Sequence, residues 1–316
     1  MSERVLVVST GGTIASTAGE DGASPTQTGE DLVEAVPELT DRIEVTQLSQ
    51  RPSVDMDFEV LERLREHIAA HEAGVVVTHG TDTMAESAYY IDLVDEWNVP
   101  VVFTGAQRRP DQPGADGPAN LLASVIAAEE PEMLSAGGVY LCLNGELHAA
   151  RDAYKSHTWR LDTFESPTRG PVGAVGPNGF ERYRELGSCS TTLSTTGEPT
   201  GDVPIITTGL GVGRDGIDLA VERGCDGIVI QATGLGNTPE PIADAVADAV
   251  AADVPIVITS RCHAGGVAAV YGGGGGYTLE QHGAVFAGDL SAPKARIKLL
   301  VALESESSVS EAFAAE

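Results

Sequence analysis

VLVVSTGGTIAST, residues 5–17, runs four aliphatic side chains straight into Ser-Thr-Gly-Gly-Thr, and GVVVTHGTDTM, residues 74–84, repeats the event seventy residues later. A β-branched run without alternation is the pattern of a strand buried on both faces, as in a parallel sheet. Glycine at the end of such a strand lets backbone approach a neighbour or a ligand closely. The threonines beside it display hydroxyls at the same place. In an open α/β sheet, ligands bind beyond the carboxyl ends of the strands, near a switch in strand order. Two strands that end alike therefore raise the expectation of one site built from both loops.

The pattern continues on either side. Val101–Thr104 and Val139–Leu143 read as further buried strands and Ile43–Leu48 as a weaker one, with helices over Phe58–His71, Thr83–Trp97 and Ala119–Glu129 between them. Alternation of strand and helix predicts an α/β sheet. Residues 170–183 read as a hairpin turning at Pro177-Asn178-Gly179. Residues 187–203 are rich in Ser, Thr and Gly and read as a linker. After it, VPIITT, GIVIQA and VPIVITS predict three more strands. The helix before the last of them has Pro241 in its first turn, an apolar face of Ile242, Val246, Ala249 and Val250, and Asp244 and Asp248 towards water. The expected organisation is a larger domain over 1–186, a linker over 187–203 and a smaller α/β domain over 204–316.

Asp and Glu total 47 against 19 Lys and Arg, a net charge of −28. That balance argues against nucleic-acid or anionic-membrane partners. Because the acids are spread through periodic apolar patterns, the chain reads as folded and highly hydrated, as in a halophile's cytoplasm. The N-terminus enters a strand almost at once, so no secretory signal is expected and the expected location is cytoplasmic. There are three lysines, Lys155, Lys294 and Lys298, against 16 arginines. The four cysteines stand far apart without CxxC spacing and read as buried free thiols. His67 and His71 have the i,i+4 spacing of a zinc helix but lack the glutamate of HExxH, so no metal is expected. Gly211-Val-Gly-Arg-Asp-Gly216 matches GxGxxG, yet the next strand ends in Gln231 without the ribose-binding acid of a dinucleotide site.

Residues with chemistry gather at the expected strand ends. Thr13, Thr81 and Thr83 offer hydroxyls, Asp82 a carboxylate, and GELHAARDAYKSHT (145–158) brings Lys155 from the loop after the fourth strand. A Thr–Lys–Asp group is a relay suited to nucleophilic attack on a carbonyl. Each member also has a structural reading: Thr81 or Thr83 as a helix N-cap, Asp82 as a loop brace, Lys155 as a surface charge.

Both threonine–glycine stretches resemble the two signatures of the L-asparaginase family of bacterial type. EDLVEAVPEL, PSVDM, FTGAQRRP, ADGPANL, ARDAYKSHT, GLGN and PKARIKLL are similar as well, in order, from about residue 4 to 302. The resemblance implies two α/β domains, the larger N-terminal one a doubly wound, mainly parallel sheet of flavodoxin-like type. It implies hydrolysis of L-asparagine to L-aspartate and ammonia, with variable glutaminase activity and no cofactor. By position, Thr13 resembles the nucleophile, and Thr81, Asp82 and Lys155 the second threonine and its relay partners. Ser53 matches the serine on the substrate α-carboxylate, Asp82 also the group on the α-amino nitrogen, and Ala106 the carbonyl that accepts from the side-chain amide. Asn237 resembles a residue lent by a neighbouring subunit, in a homodimer or homotetramer with sites at the subunit junction.

Two departures stand out. The loop STAGEDGASPTQTGEDL has no tyrosine where many members carry one, and Tyr271 is a candidate substitute. Val54 follows Ser53 where glutamine is frequent. Lys155 serves as a base only when neutral, which burial favours and Asp82 opposes. Backbone amides of the Gly11–Thr13 loop, or a nearby hydroxyl, are expected to meet the developing oxyanion. Two alternatives share the pattern. One is the asparaginase-like subunit of archaeal glutamyl-tRNA amidotransferase, which in most cases has an additional domain before the first signature. The other is a binding protein that holds an amino acid on the same fold without cleaving it.

Overall fold

A computed structural model describes residues 4–187, 190–195 and 197–314. The chain divides between Ser190 and Thr191 into two compact units. In the first, the strands are β1 (Val5–Gly11), β2 (Ser16–Gly19), β3 (Gly22–Pro25), β4 (Ile43–Arg51), β5 (Val75–Thr78), β6 (Pro100–Thr104), β7 (Gly138–Leu143), β8 (Glu146–Ala149), β9 (Tyr154–Lys155), β10 (Phe164–Glu165), β11 (Gly173–Gly176) and β12 (Gly179–Arg182). The helices are α1 (Gly29–Glu34), α2 (Phe58–Ala69), α3 (Met84–Val94), α4 (Gly117–Glu129) and α5 (Pro131–Ala136).

Eight strands form one sheet in the order β12-β11-β8-β7-β6-β5-β1-β4. From β4 to β7 the pairs are all parallel, and β8, β11 and β12 extend the edge as antiparallel strands. Counted along the chain, the parallel strands lie second-first-third-fourth-fifth, the flavodoxin-like order. The chain leaves β1 for β4 on one side and returns to β5 on the other, so the order switches at β1 and β5. Every residue of β1, β5 and β6 is buried, as their unbroken aliphatic runs require.

Helices cover this sheet for local reasons. The Asp57 carboxylate accepts from Val60 N at 3.0 Å and starts α2, whose Val60, Leu61, Leu64 and Ile68 form the buried stripe. Thr28 and Asp31 make a capping box that starts α1. The hairpin expected at 170–183 is β11–β12, with Pro177-Asn178 as its two-residue turn. Segment 16–25, taken from the sequence as loop, is instead the hairpin β2–β3, with Gly19 paired to Gly22.

In the second unit, β13 (Ile205–Thr207), β14 (Ile228–Ala232), β15 (Ile256–Ser260) and β16 (Val285–Phe286) form a wholly parallel sheet in chain order. Its helices are α6 (Asp215–Glu222), α7 (Glu240–Ala251), α8 (Gly276–Gln281), α9 (Ala292–Glu304) and α10 (Val309–Ala314). Ile217, Ile228, Ile230, Ile242, Val246, Ile256, Ile258 and Leu279 share its core. Among the described residues, no helix is long and apolar enough to cross a membrane.

Candidate active site

The loops after β1 and β5 meet at the strand-order switch. Gly12, at φ 83°, lies so close that a Cβ on it would come within 2.3 Å of Gly80 Cα and N. A Cβ on Gly11 would fall 2.5 Å from Arg51 O. The two glycines are therefore needed for backbone-to-backbone contact, which any side chain would hold apart. The register of β4 on β1 shifts between Ser9–Gln47 and Gly11–Arg51. This irregularity carries Arg51 O to Gly12 N at 3.1 Å and delivers Ser53, two residues on, beside Gly80.

Beyond Gly80 the side chains converge. Lys155 Nζ donates to Thr81 Oγ1 at 2.9 Å and to Asp82 Oδ1 at 2.6 Å. The Lys155 side chain is 18% exposed and that of Asp82 64%, so the pair sits at the rim with Lys155 on the inside. A small cavity of about 220 Å³ opens beside them, lined by Asp82, Lys155, Ser156, His157 and Thr158. Ser53 is buried; its Oγ accepts from Asp82 N at 3.3 Å and its carbonyl from Thr83 Oγ1 at 2.7 Å. Thr83 stands at the N-cap position of α3 without capping it, and the Asp82 carboxylate meets Lys155 Nζ.

Most hydroxyls at these strand ends are tied into the scaffold. Thr10 Oγ1 donates to Thr78 O, Ser16 Oγ to Gly12 O, Ser49 Oγ to Thr10 O and Thr104 Oγ1 to Cys142 O. The Thr13 hydroxyl makes no hydrogen bond among the described residues. Thr13 opens a single 3₁₀ turn immediately after Gly12, and the next residue, Ile14, meets the start of α4. A Cβ on Gly117 would lie 2.8 Å from Ile14 Cγ1 and 3.6 Å from Ala106 Cβ, so α4 underlies both the Thr13 turn and Ala106. The segments that carry Thr13, Ser53, Thr81, Asp82, Ala106 and Lys155 thus pack against one another at the strand-order switch of the first unit.

Asn237 belongs to the second unit, in a tight loop after β14. Its carbonyl accepts from Thr233 N at 3.0 Å and Thr233 Oγ1 at 2.8 Å, and its Oδ1 from Gly276 N at 3.4 Å. Tyr271, also in the second unit, is exposed.

Several readings change. Gly12 N–H is committed to Arg51 O and is withdrawn as an oxyanion donor. The other two lysines, Lys294 and Lys298, are buried in α9, with Lys298 Nζ 5.1 Å from the centre of the Phe313 ring. Cys142 and Cys225 are buried, whereas Cys262 is exposed; Cys189 lies outside the described residues. Burial pushes the Cys142 thiol up to about 12. His71 falls beyond the end of α2, so it is not on one helical face with His67. In the GxGxxG stretch, Arg214 is bound by Asp218 at 2.8 Å and Asp248 at 2.7 Å, a carboxylate-rich setting unfit for phosphate.

Sequence reasoning passed over His79. It is fully buried, and burial lowers it to about 4 while Nδ1 donates to Gly80 O at 2.7 Å. Its place inside a signature between Thr78 and Gly80 was the available signal.

The family description "Asparaginase, N-terminal" matches residues 4–186, and "Glutaminase/Asparaginase C-terminal domain" matches residues 202–314. An L-asparaginase of Bacillus licheniformis is 34% identical, over 96% of this chain and 97% of that protein. A glutamyl-tRNA(Gln) amidotransferase subunit from Methanosphaera stadtmanae is 32% identical, over 98% of this chain and 74% of its own length. The crystal structure of the Probable Cytoplasmic L-asparaginase from Campylobacter jejuni is similar with a TM-score of 0.87 at 30% identity, covering 98% of each chain. With both halves matched and 96% of the chain shared with one relative, the chain belongs to the asparaginase family.

Proposed function

We propose that the chain is a cytoplasmic L-asparaginase, hydrolysing L-asparagine to L-aspartate and ammonia through a threonine nucleophile. The observation that carries this reading is Lys155 Nζ held between Thr81 Oγ1 and Asp82 Oδ1, at 2.9 and 2.6 Å, above the β1–β5 switch. On this reading residues 1–186 are the catalytic domain, 187–203 a linker and 204–316 the second domain.

Thr13 Oγ1 forms a bond to the side-chain carbonyl carbon of the substrate. Its proton passes by way of Thr81 to the amide nitrogen, the C–N bond breaks and ammonia leaves. Water then cleaves the resulting ester, releasing aspartate and restoring the Thr13 hydroxyl. Its freedom from scaffold bonds favours Thr13 over Thr81 as the first attacker. Nζ donates to both Thr81 Oγ1 and Asp82 Oδ1 and so orients Thr81. Ser53 and Asp82 hold the α-carboxylate and α-amino groups, and the Ala106 carbonyl accepts from the amide.

The second reading, a glutamine-cleaving subunit of a tRNA amidotransferase, has relatives at similar identity. The net charge of −28 favours a free amino acid over a tRNA-borne assembly. Ammonia release from asparagine, glutamine and D-asparagine in molar KCl tests the proposal. Turnover confined to glutamine, or none with any of the three, overturns it. We further propose a homodimer or homotetramer in which Asn237 reaches a neighbour's site; a fully active monomer by light scattering overturns that.

A further inference from the structure

We infer that Asp116 and Asn120 are positioning residues that aim the Ala106 carbonyl at the substrate amide and so set the preference for amide over acid. The inference rests on the asparaginase reading above, in which Ala106 accepts from that amide.

Asp116 occupies the N-cap position of α4, where an aspartate ordinarily accepts from the first amides of its own helix. Here its side chain makes no cap bond. It turns instead to the loop after β6, where Oδ2 accepts from Gln107 N at 3.0 Å and Oδ1 from Arg108 N at 2.8 Å. Asn120, one turn into α4 and buried, donates from Nδ2 to Gly105 O at 2.9 Å and to Asp116 Oδ2 at 3.1 Å. Its Oδ1 accepts from Asn144 N at 2.9 Å, which fixes the amide's orientation. The peptide groups on both sides of Ala106 are thus pinned to one helix terminus.

The consequence for Ala106 follows from peptide geometry. No peptide bond among the described residues is cis. In a trans peptide the C=O points opposite to the N–H of the same unit. The Gln107 N–H is anchored on the Asp116 carboxylate, so the Ala106 C=O of that unit points away from Asp116. A charged acceptor on the N–H also polarises the amide, which strengthens its carbonyl as an acceptor. A side-chain NH₂ satisfies this carbonyl. A product carboxylate presents only oxygen to it and is disfavoured.

The test compares L-asparagine with L-aspartate β-methyl ester, which acylates the same threonine but has no amide N–H to give. In Asp116→Asn, kcat/KM for asparagine is expected to fall at least about thirtyfold and that for the ester less than about threefold. The ratio of the aspartate inhibition constant to the asparagine KM is expected to fall in parallel. Asn120→Ser gives the same reading if Asp116→Asn does not fold. Equal losses on amide and ester, with an unchanged inhibition ratio, overturn the inference, since a purely structural role lowers both alike. Should the wild type cleave asparagine but not the ester, the inhibition ratio alone decides. A wild type that cleaves neither overturns the asparaginase reading instead.

Discussion

Gly12 and Gly80 touch backbone to backbone, and that contact joins the two halves of the candidate site. A Cβ on Gly12 would come within 2.3 Å of Gly80 Cα. Without that contact, the loop bearing Thr13 and the loop bearing Thr81 could not pack this closely. This answers why two strands of one chain end alike: they are neighbours, β1 beside β5, and each loop needs the other's lack of a side chain.

Gly12→Ala is therefore expected to part the loops. At φ 83° the new side chain is strained as well as crowded, at a cost on the order of 1–3 kcal/mol. We expect asparaginase kcat to fall more than about a hundredfold with a lowered melting temperature. Near-wild-type turnover would show that the loops need not touch during catalysis.

Thr13→Ala and Thr81→Ala are each expected to lower kcat by more than about a thousandfold with the fold intact. Lys155→Met should do likewise. Its control is Arg160→Met, an exposed neighbour paired with Asp162, and not Lys298→Met, which removes a fully buried side chain and lowers stability for its own reasons. Equal, mild effects at Lys155 and Arg160 would remove the relay assignment.

His79 makes stability depend on acid. Its folded value is about 4 against 6.5 when unperturbed, and the cause is burial. Between those pH values the unfolded chain binds a proton that the folded chain does not. Stability is therefore full above about pH 6.5 and is lost as pH falls towards 4, by about 3 kcal/mol at 1.36 kcal/mol per pH unit. Melting curves from pH 7 to 4 should fall less steeply for His79→Gln than for the wild type. Identical slopes would contradict the assignment.

Salt should govern both folding and turnover. A net charge of −28 repels itself over a Debye length of about 30 Å at 0.01 M salt but only about 3 Å at 1 M. Circular dichroism and turnover are expected to rise together as KCl approaches molar levels. Full activity with an unchanged melting temperature at ~0.01 M would show that the acidic surface is tolerated and not required.

The sequence by itself determined the long aliphatic strands and the places where chemistry could sit. It did not determine β8 or β9, which fall inside the stretch 145–158 read as loop, so that Lys155 stands on a short strand. Val75–Thr78 was legible to the residue, because a β-branched run closed by glycine is a local signal. The threonines, Asp82 and Lys155 were legible as candidates because they cluster beside such signals. The hairpin Ser16–Pro25 was not legible: its residues are small and polar, without the aliphatic alternation that marks a strand. What anchors it is remote. The Ala18 amide donates to Asp111 at 3.0 Å, ninety-three residues away.

Only the tertiary structure decided how the candidates face one another. The backbone contact at Gly12, the withdrawal of its N–H to Arg51, the burial of Lys298 and the turning of Asp116 from its own helix to Gln107 and Arg108 all depend on partners distant in the chain or on how elements pack. Propensity and periodicity describe a residue's own segment. The direction of a carboxylate or a carbonyl is set by which other segment the sheet order brings alongside, and that order is a property of the packed core.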